Sequence, residues 1–342
     1  MAGEKRREIS ILNVCFCLAV VGIHLLSEPV VRLSPGPWLK TVKTVQGLLF
    51  FAVYGFFFLS GLKLFLSPRP LGEFYRRRLT AVVLPYAVCV TVYVLFCAVT
   101  GYDRVTLTDL PRYYLLGTIA PHLYFVPALV QMYLLMPLWQ ALFRRFDGRI
   151  LAAAGMAVTL LAGPVARMLW MRLFARQPAY LDRCFLPYLG FWLMGCAAGR
   201  DPASFRRFLD RYRAILIAAA AVLGAVSRLT PRWTDNWELI VAGRTLWYAA
   251  AVPAACALAG PVRELGIWRS RLFGLLDRGS YEIYLYHILF LMVAGMVMPP
   301  LGIRRLIPRF LVRAVFALAG PLLIRAVREA LLRRKKIEKN GR

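Results

Sequence analysis

The 342-residue chain is 60% hydrophobic and only 18% charged, with a mean hydropathy of +0.59; soluble domains run at about 45–50% apolar and about 25% charged. A water-soluble globule of this composition lacks the polar surface to cover itself, and disordered, collagen-like and coiled-coil classes fail on the same numbers. The excess of 44 Lys and Arg over 17 Asp and Glu, a net charge of +27, lies in short segments between apolar runs. That is the pattern of loops facing an anionic inner leaflet, and it argues against nucleic acid as a partner.

A helix crossing roughly 30 Å of hydrocarbon needs about 20 apolar residues. In chain order such runs cover 9–31, 44–66, 79–100, 121–143, 150–171, 184–199, 212–228, 239–260, 280–298 and 306–326. The first is too long for a signal-peptide core and no small-x-small cleavage site follows it, so it is expected to be a retained helix. The expected fold is all-α: a polytopic bundle of about ten transmembrane helices in the cell membrane. It has a short N-terminal segment (1–8), one membrane domain (9–326) and a basic tail (327–342).

Alternate loops carry 26 and 15 Lys and Arg. The richer set contains both ends of the chain, which predicts cytoplasmic N- and C-termini. The seven cysteines, Cys15, Cys17, Cys89, Cys97, Cys184, Cys196 and Cys256, lie in apolar stretches without C-x-x-C or His spacing. They read as small buried hydrophobes, and no metal site is expected.

Ionisable residues inside spans are costly, which makes them functional candidates. All three histidines fall within or at the edge of predicted spans. His24 lies about 22 Å along the first helix, in the outer third of the bilayer. Glu28 follows one turn later on the same face, the arrangement of a base with its orienter. Asn13 lies about three turns before His24, near that face. His122 opens the fourth span, and His287 and Tyr284 lie in the ninth, within SYEIYLYH. A basic cluster begins at Lys63 and continues through Arg69 to Arg76, Arg77 and Arg78. As loop charges these are topology signals; as an anion site, guanidiniums suit phosphate because they bind it bidentately.

Four segments together resemble the acyltransferase-3 membrane proteins: REISILNVCFCLAVVGIH, FFAVYGFFFLSGLKLF, HLYFVPALVQMYLLMPLW and SYEIYLYHILF. In the first, the family pattern is a basic residue, ten residues, then His; His24 matches the His, and Asn13 stands at the basic position. In the Arg-rich stretch, Ala81 stands where a second basic residue is usual. The resemblance implies a ten-helix bundle that moves an acyl group, usually acetyl from acetyl-CoA, to a hydroxyl of a surface or exported carbohydrate.

Residues and resemblance together assign His24 as base and Glu28 as its orienter. Acyl-CoA would be a donor substrate rather than a resident cofactor. Arg76, Arg77 and Arg78 would hold its phosphates, with Lys63 and Asn13 nearby, and Tyr284, His287 and His122 would line the cavity. The expected partners are the lipid bilayer, acyl-CoA and a carbohydrate or other envelope acceptor. Two rival classes follow from the same residues. One is a secondary transporter using His and Glu as a proton relay, although the halves show no matching broken helices. The other is an acyltransferase-like protein that has lost its chemistry and serves as a sensor or assembly partner.

Overall fold

The computed structural model describes residues 2–174 and 180–340, with side chains from 6 to 174 and from 180 to 330. The basic side chains of 331–342, expected on a membrane surface, lie outside that set. In chain order the helices are α1 (Ala2–Leu25), α2 (Ser27–Arg32), α3 (Pro37–Leu49), α4 (Phe51–Leu66), α5 (Leu71–Arg78) and α6 (Leu84–Thr100). There follow α7 (Leu110–Leu116), α8 (Phe125–Leu134), α9 (Met136–Arg145), α10 (Gly148–Phe174) and α11 (Leu189–Arg200). The last four are α12 (Pro202–Trp233), α13 (Trp237–Glu264), α14 (Arg271–Val297) and α15 (Leu306–Asn340). No strand occurs among the described residues.

Among the described residues, eight helices or near-continuous helix pairs are long and apolar enough to cross a membrane. They run past the apolar windows because polar first and last turns are helical too. Asp201, for instance, caps α12 by accepting from the Ser204 N–H at 2.9 Å. The Ser204 hydroxyl first, and then this N–H, hold its carboxyl below the usual carboxylate range. α5 enters α6 through a π-helical turn, Leu79–Val83, just before Pro85. A proline has no N–H to continue an i→i−4 ladder, and the wider turn takes up the break.

The two least regular crossings are those expected at 121–143 and 184–199. The first is split into α8 and α9, bent by 57° at Leu135. Pro137 removes a backbone donor there, and the Trp139 indole spans the bend by donating to the Met132 carbonyl at 2.8 Å. The second is the twelve-residue α11, preceded by a 3-10 turn, Leu186–Tyr188. A helix that short suffices because nine of its residues are buried in protein, so its ends need not meet lipid.

By contact density the chain forms two units: residues 1–52 with 259–342, and residues 53–258. In the first, α1 packs along α14 and α14 along α15. In the second, α11 lies between α4 and α10. The Gly195 Cα sits on the Phe58 carbonyl, Gly199 meets the Leu62 carbonyl, and Gly61 meets the Trp192 carbonyl. This is the close backbone approach that a small-xxx-small pair allows. Outward faces stay apolar, as Leu161 and Val165 on α10, Ile215 and Val222 on α12, and Leu311 and Val315 on α15 show. Such a face needs hydrocarbon to cover it.

Candidate active site

α1 and α14 run parallel and are joined by a ladder of polar contacts. Near its base the Asn13 amide donates to the Ser280 hydroxyl at 2.7 Å and to the Asp277 carboxylate at 3.2 Å. One turn on, the Cys17 thiol donates to the Ser280 carbonyl at 3.7 Å. At the top, the His24 and His287 rings meet with centroids 5.1 Å apart and planes at 49°. Two of the three histidines in the chain, 263 residues apart, therefore face each other.

His287 is 0% exposed. Its Nδ1 lies 2.8 Å from the Ile283 carbonyl and 2.9 Å from the Tyr284 carbonyl. Carbonyl oxygens only accept, so Nδ1 carries the proton and donates, which leaves Nε2 as the acceptor nitrogen. Tyr284 itself stacks on Tyr281, centroids 6.1 Å apart. His24, on the turn where α1 gives way to α2, is only partly covered.

Glu28, expected to orient His24, has its carboxylate taken up by guanidiniums. Oε1 lies 2.6 Å from Arg309 Nε and 2.7 Å from Arg32 Nε, and Oε2 lies 3.1 Å from Arg313 Nε. Charge-assisted bonds of this kind are about twice as strong as neutral ones, and three guanidiniums outcompete a neutral imidazole for two oxygens. Arg309 lies in the first turn of α15, only 8% exposed. At the far end of α15 a second carboxylate, Glu282, takes Arg325 at 3.4 Å and Arg328 at 2.5 Å. α15 is thus fixed at two points about 24 Å apart.

The remaining expected residues belong to the second unit. Lys63 is exposed on the last turn of α4. Arg76, Arg77 and Arg78 do not act as one patch, since consecutive helical side chains point about 100° apart. Arg76 is exposed, Arg77 pairs with Glu73 at 2.9 Å, and Arg78 lies over the Tyr133 ring at 5.2 Å. The Tyr133 hydroxyl is hydrogen-bonded to Arg78 and to Ser60, the serine of FFFLSG. His122 is buried beside Tyr93, ring centroids 6.1 Å apart.

Arg309 and Arg313 were legible only as an i,i+4 pair within the apolar run 306–326. Arg228 and Arg244, counted as loop charges, sit inside α12 and α13. No group of three or more His, Cys, Asp or Glu that could hold a metal occurs among the described residues.

A family model described as an acyltransferase domain, that of the acyltransferase-3 proteins, matches residues 6–326. Among curated proteins and solved structures nothing matches. The match takes in every long helix and both histidines of the α1–α14 pair, and the chain belongs to the acyltransferase-3 family of membrane acyltransferases.

Proposed function

We propose that the chain transfers an acyl group, acetyl in the simplest case, from acyl-CoA to a hydroxyl of a cell-envelope glycan or other exported acceptor. The His24–His287 pair carries this reading. A base for a hydroxyl must be neutral, oriented and within reach of substrate. His287, with its proton fixed on Nδ1 by two carbonyls, offers Nε2 to orient the ring beside it. His24, the less covered of the two, is the base.

In the reaction His24 removes the acceptor hydroxyl proton as the oxygen attacks the thioester carbonyl. The C–S bond then breaks, and the imidazolium returns its proton to the departing CoA sulfur. The products are an ester and free CoA. Of the three α5 arginines, the exposed Arg76, and Arg78 from a position set by Tyr133, bind the CoA phosphates, with Lys63 as a further cation, while Arg77 is held by Glu73. Asn13 holds α1 and α14 in register below the base, and Tyr284 lines the cavity. Glu28 acts through position, by fixing α15 against the turn that carries His24. Both termini lie in the cytoplasm, the chain sits in the cell membrane, and the CoA-binding arginines face the cytoplasmic donor.

The test is mass spectrometry of envelope glycans and lipids from cells with and without the chain, and from cells expressing His24→Ala. The reading expects the mass of one acyl group to disappear in the second and third. An identical profile in all three overturns it. A transporter would move its substrate without consuming acyl-CoA, which release of CoA thiol in vesicles separates from acyl transfer.

A further inference from the structure

Among the described residues, two arginines inside the second unit pair with no acid. Arg228 lies on α12, five residues before its end at Trp233, and Arg244 lies on α13, seven residues after its start at Trp237. Both are therefore one and a half to two turns below the same α12–α13 end, about 7–11 Å in. The two charges are close enough to interact with each other and with Tyr248.

Arg228 Nε and Nη2 and Arg244 Nε are buried without a hydrogen-bond partner among the described residues. The nearest acid on these helices, Glu238, is already paired with Arg167 at 2.7 Å. The undescribed segment 175–179, ARQPA, contains no acid. Buried guanidinium N–H groups left without acceptors cost free energy, and two like charges side by side add repulsion.

The surroundings are rigid and aromatic. The Trp247 indole donates to the Ala220 carbonyl at 2.9 Å, and it packs against Gly224, where a side chain would not fit. That contact locks α12 to α13 one turn from Arg228 and one turn from Arg244. Tyr248 stacks on Tyr54 with centroids 4.5 Å apart, and Arg244 also lies 5.8 Å over the Trp237 ring. The chain thus keeps two fork-shaped donors and a tyrosine in a partly dry, preorganised place.

The geometry points to a phosphate-binding site formed by Arg228 and Arg244, with Tyr248 beside it. A phosphate neutralises both charges, and its oxygens accept the idle N–H groups in the bidentate manner that suits guanidinium. The site uses none of the residues proposed for acyl transfer, and it does not depend on that reading. Its phosphate comes either from a lipid headgroup or from a water-soluble phosphate.

The experiment is thermal unfolding of the purified full chain in a neutral detergent, followed by tryptophan fluorescence. One arm titrates inorganic phosphate against chloride at constant ionic strength; the other compares micelles doped with phosphatidylglycerol and with phosphatidylcholine. A rise in the wild-type midpoint with inorganic phosphate supports the site with a soluble source. A rise with phosphatidylglycerol alone supports it with a lipid source. In either case Arg228→Gln and Arg244→Gln should weaken the response at least tenfold while unfolding no earlier than wild type without probe, because each removes one of two repelling charges. Arg228→Lys and Arg244→Lys, which keep the charge and lose the fork, serve if the Gln variants fail to fold, and they should respond at intermediate concentrations. The proposal is overturned if wild type responds to neither probe, or if the variants respond as wild type does.

Discussion

At the scale of single residues, the sequence made His24 visible because an intramembrane histidine is rare and costly. His287 was named from the sequence as lining the same cavity, but no local spacing connects residues 24 and 287, so the contact between the two rings was not legible. Glu28 shows the converse: i,i+4 spacing placed it on the right face, but that spacing says nothing about three arginines competing for its oxygens. These placements give two predictions. His24→Ala should retain the fold, because alanine is favourable within a helix, and should lose about 10²–10⁴-fold in transfer rate if the ring is a general base. His287→Ala should lose less, since the base remains and only its orientation suffers. Acyl transfer by purified, folded variants checks both, and a wild-type rate in His24→Ala refutes the assignment. Glu28→Gln should act differently, by stranding Arg309 and Arg313 with about 3–5 kcal/mol of lost stability. Its unfolding midpoint should drop, and removing both arginines as well should recover much of the loss. An unchanged midpoint in Glu28→Gln would leave the ion cluster without a stabilising role.

Among the elements, eight spans were legible because their apolar runs are long enough for lipid on at least one side. α11 reads poorly on length because its neighbours, rather than lipid, surround it. What sets its place is Gly195 and Gly199 on one side and Gly61 on the other, each meeting a facing backbone carbonyl. The glycine in the SGL motif therefore has a packing reason as well as a family one. Gly195→Leu would drive a side chain into the Phe58 carbonyl, and α4 and α11 would have to separate. Overpacking of this sort costs typically 1–3 kcal/mol, and here it falls on backbone that cannot rotate away. The variant should express poorly and unfold at lower temperature, whereas Gly163→Leu, facing open space on α10, should behave as wild type. Equal midpoints for the two variants would refute the close α4–α11 contact as a determinant of the fold.

For the molecule as a whole, the number of crossings decides where the C-terminus lies, and α11 decides the number. Eight long helices and the bent α8–α9 pair make nine, an odd count that would put the termini on opposite sides. With α11 as a further crossing the count would be ten. Gly148 packs on Ala197, Gly155 on Gly190 and Leu193, and Thr159 donates to the Leu186 carbonyl at 3.2 Å, so residues 186–200 retrace α10 from its middle back to its start. The pairing of Gly195 with Phe58 and of Gly199 with Leu62 makes α11 parallel to α4. If α10 crosses the bilayer, a segment that lies back along it to its beginning would cross as well, whatever its length. A count of ten would fit the excess of 26 over 15 basic residues, from which both termini are expected in the cytoplasm. Reporter fusions after Gly101, Arg200 and Arg342 should therefore read outside, inside and inside. The fusion after Arg200 is the decisive one: an outside signal there, with an inside signal after Asp147, would mean that α11 does not complete a crossing and that the C-terminus lies on the opposite side.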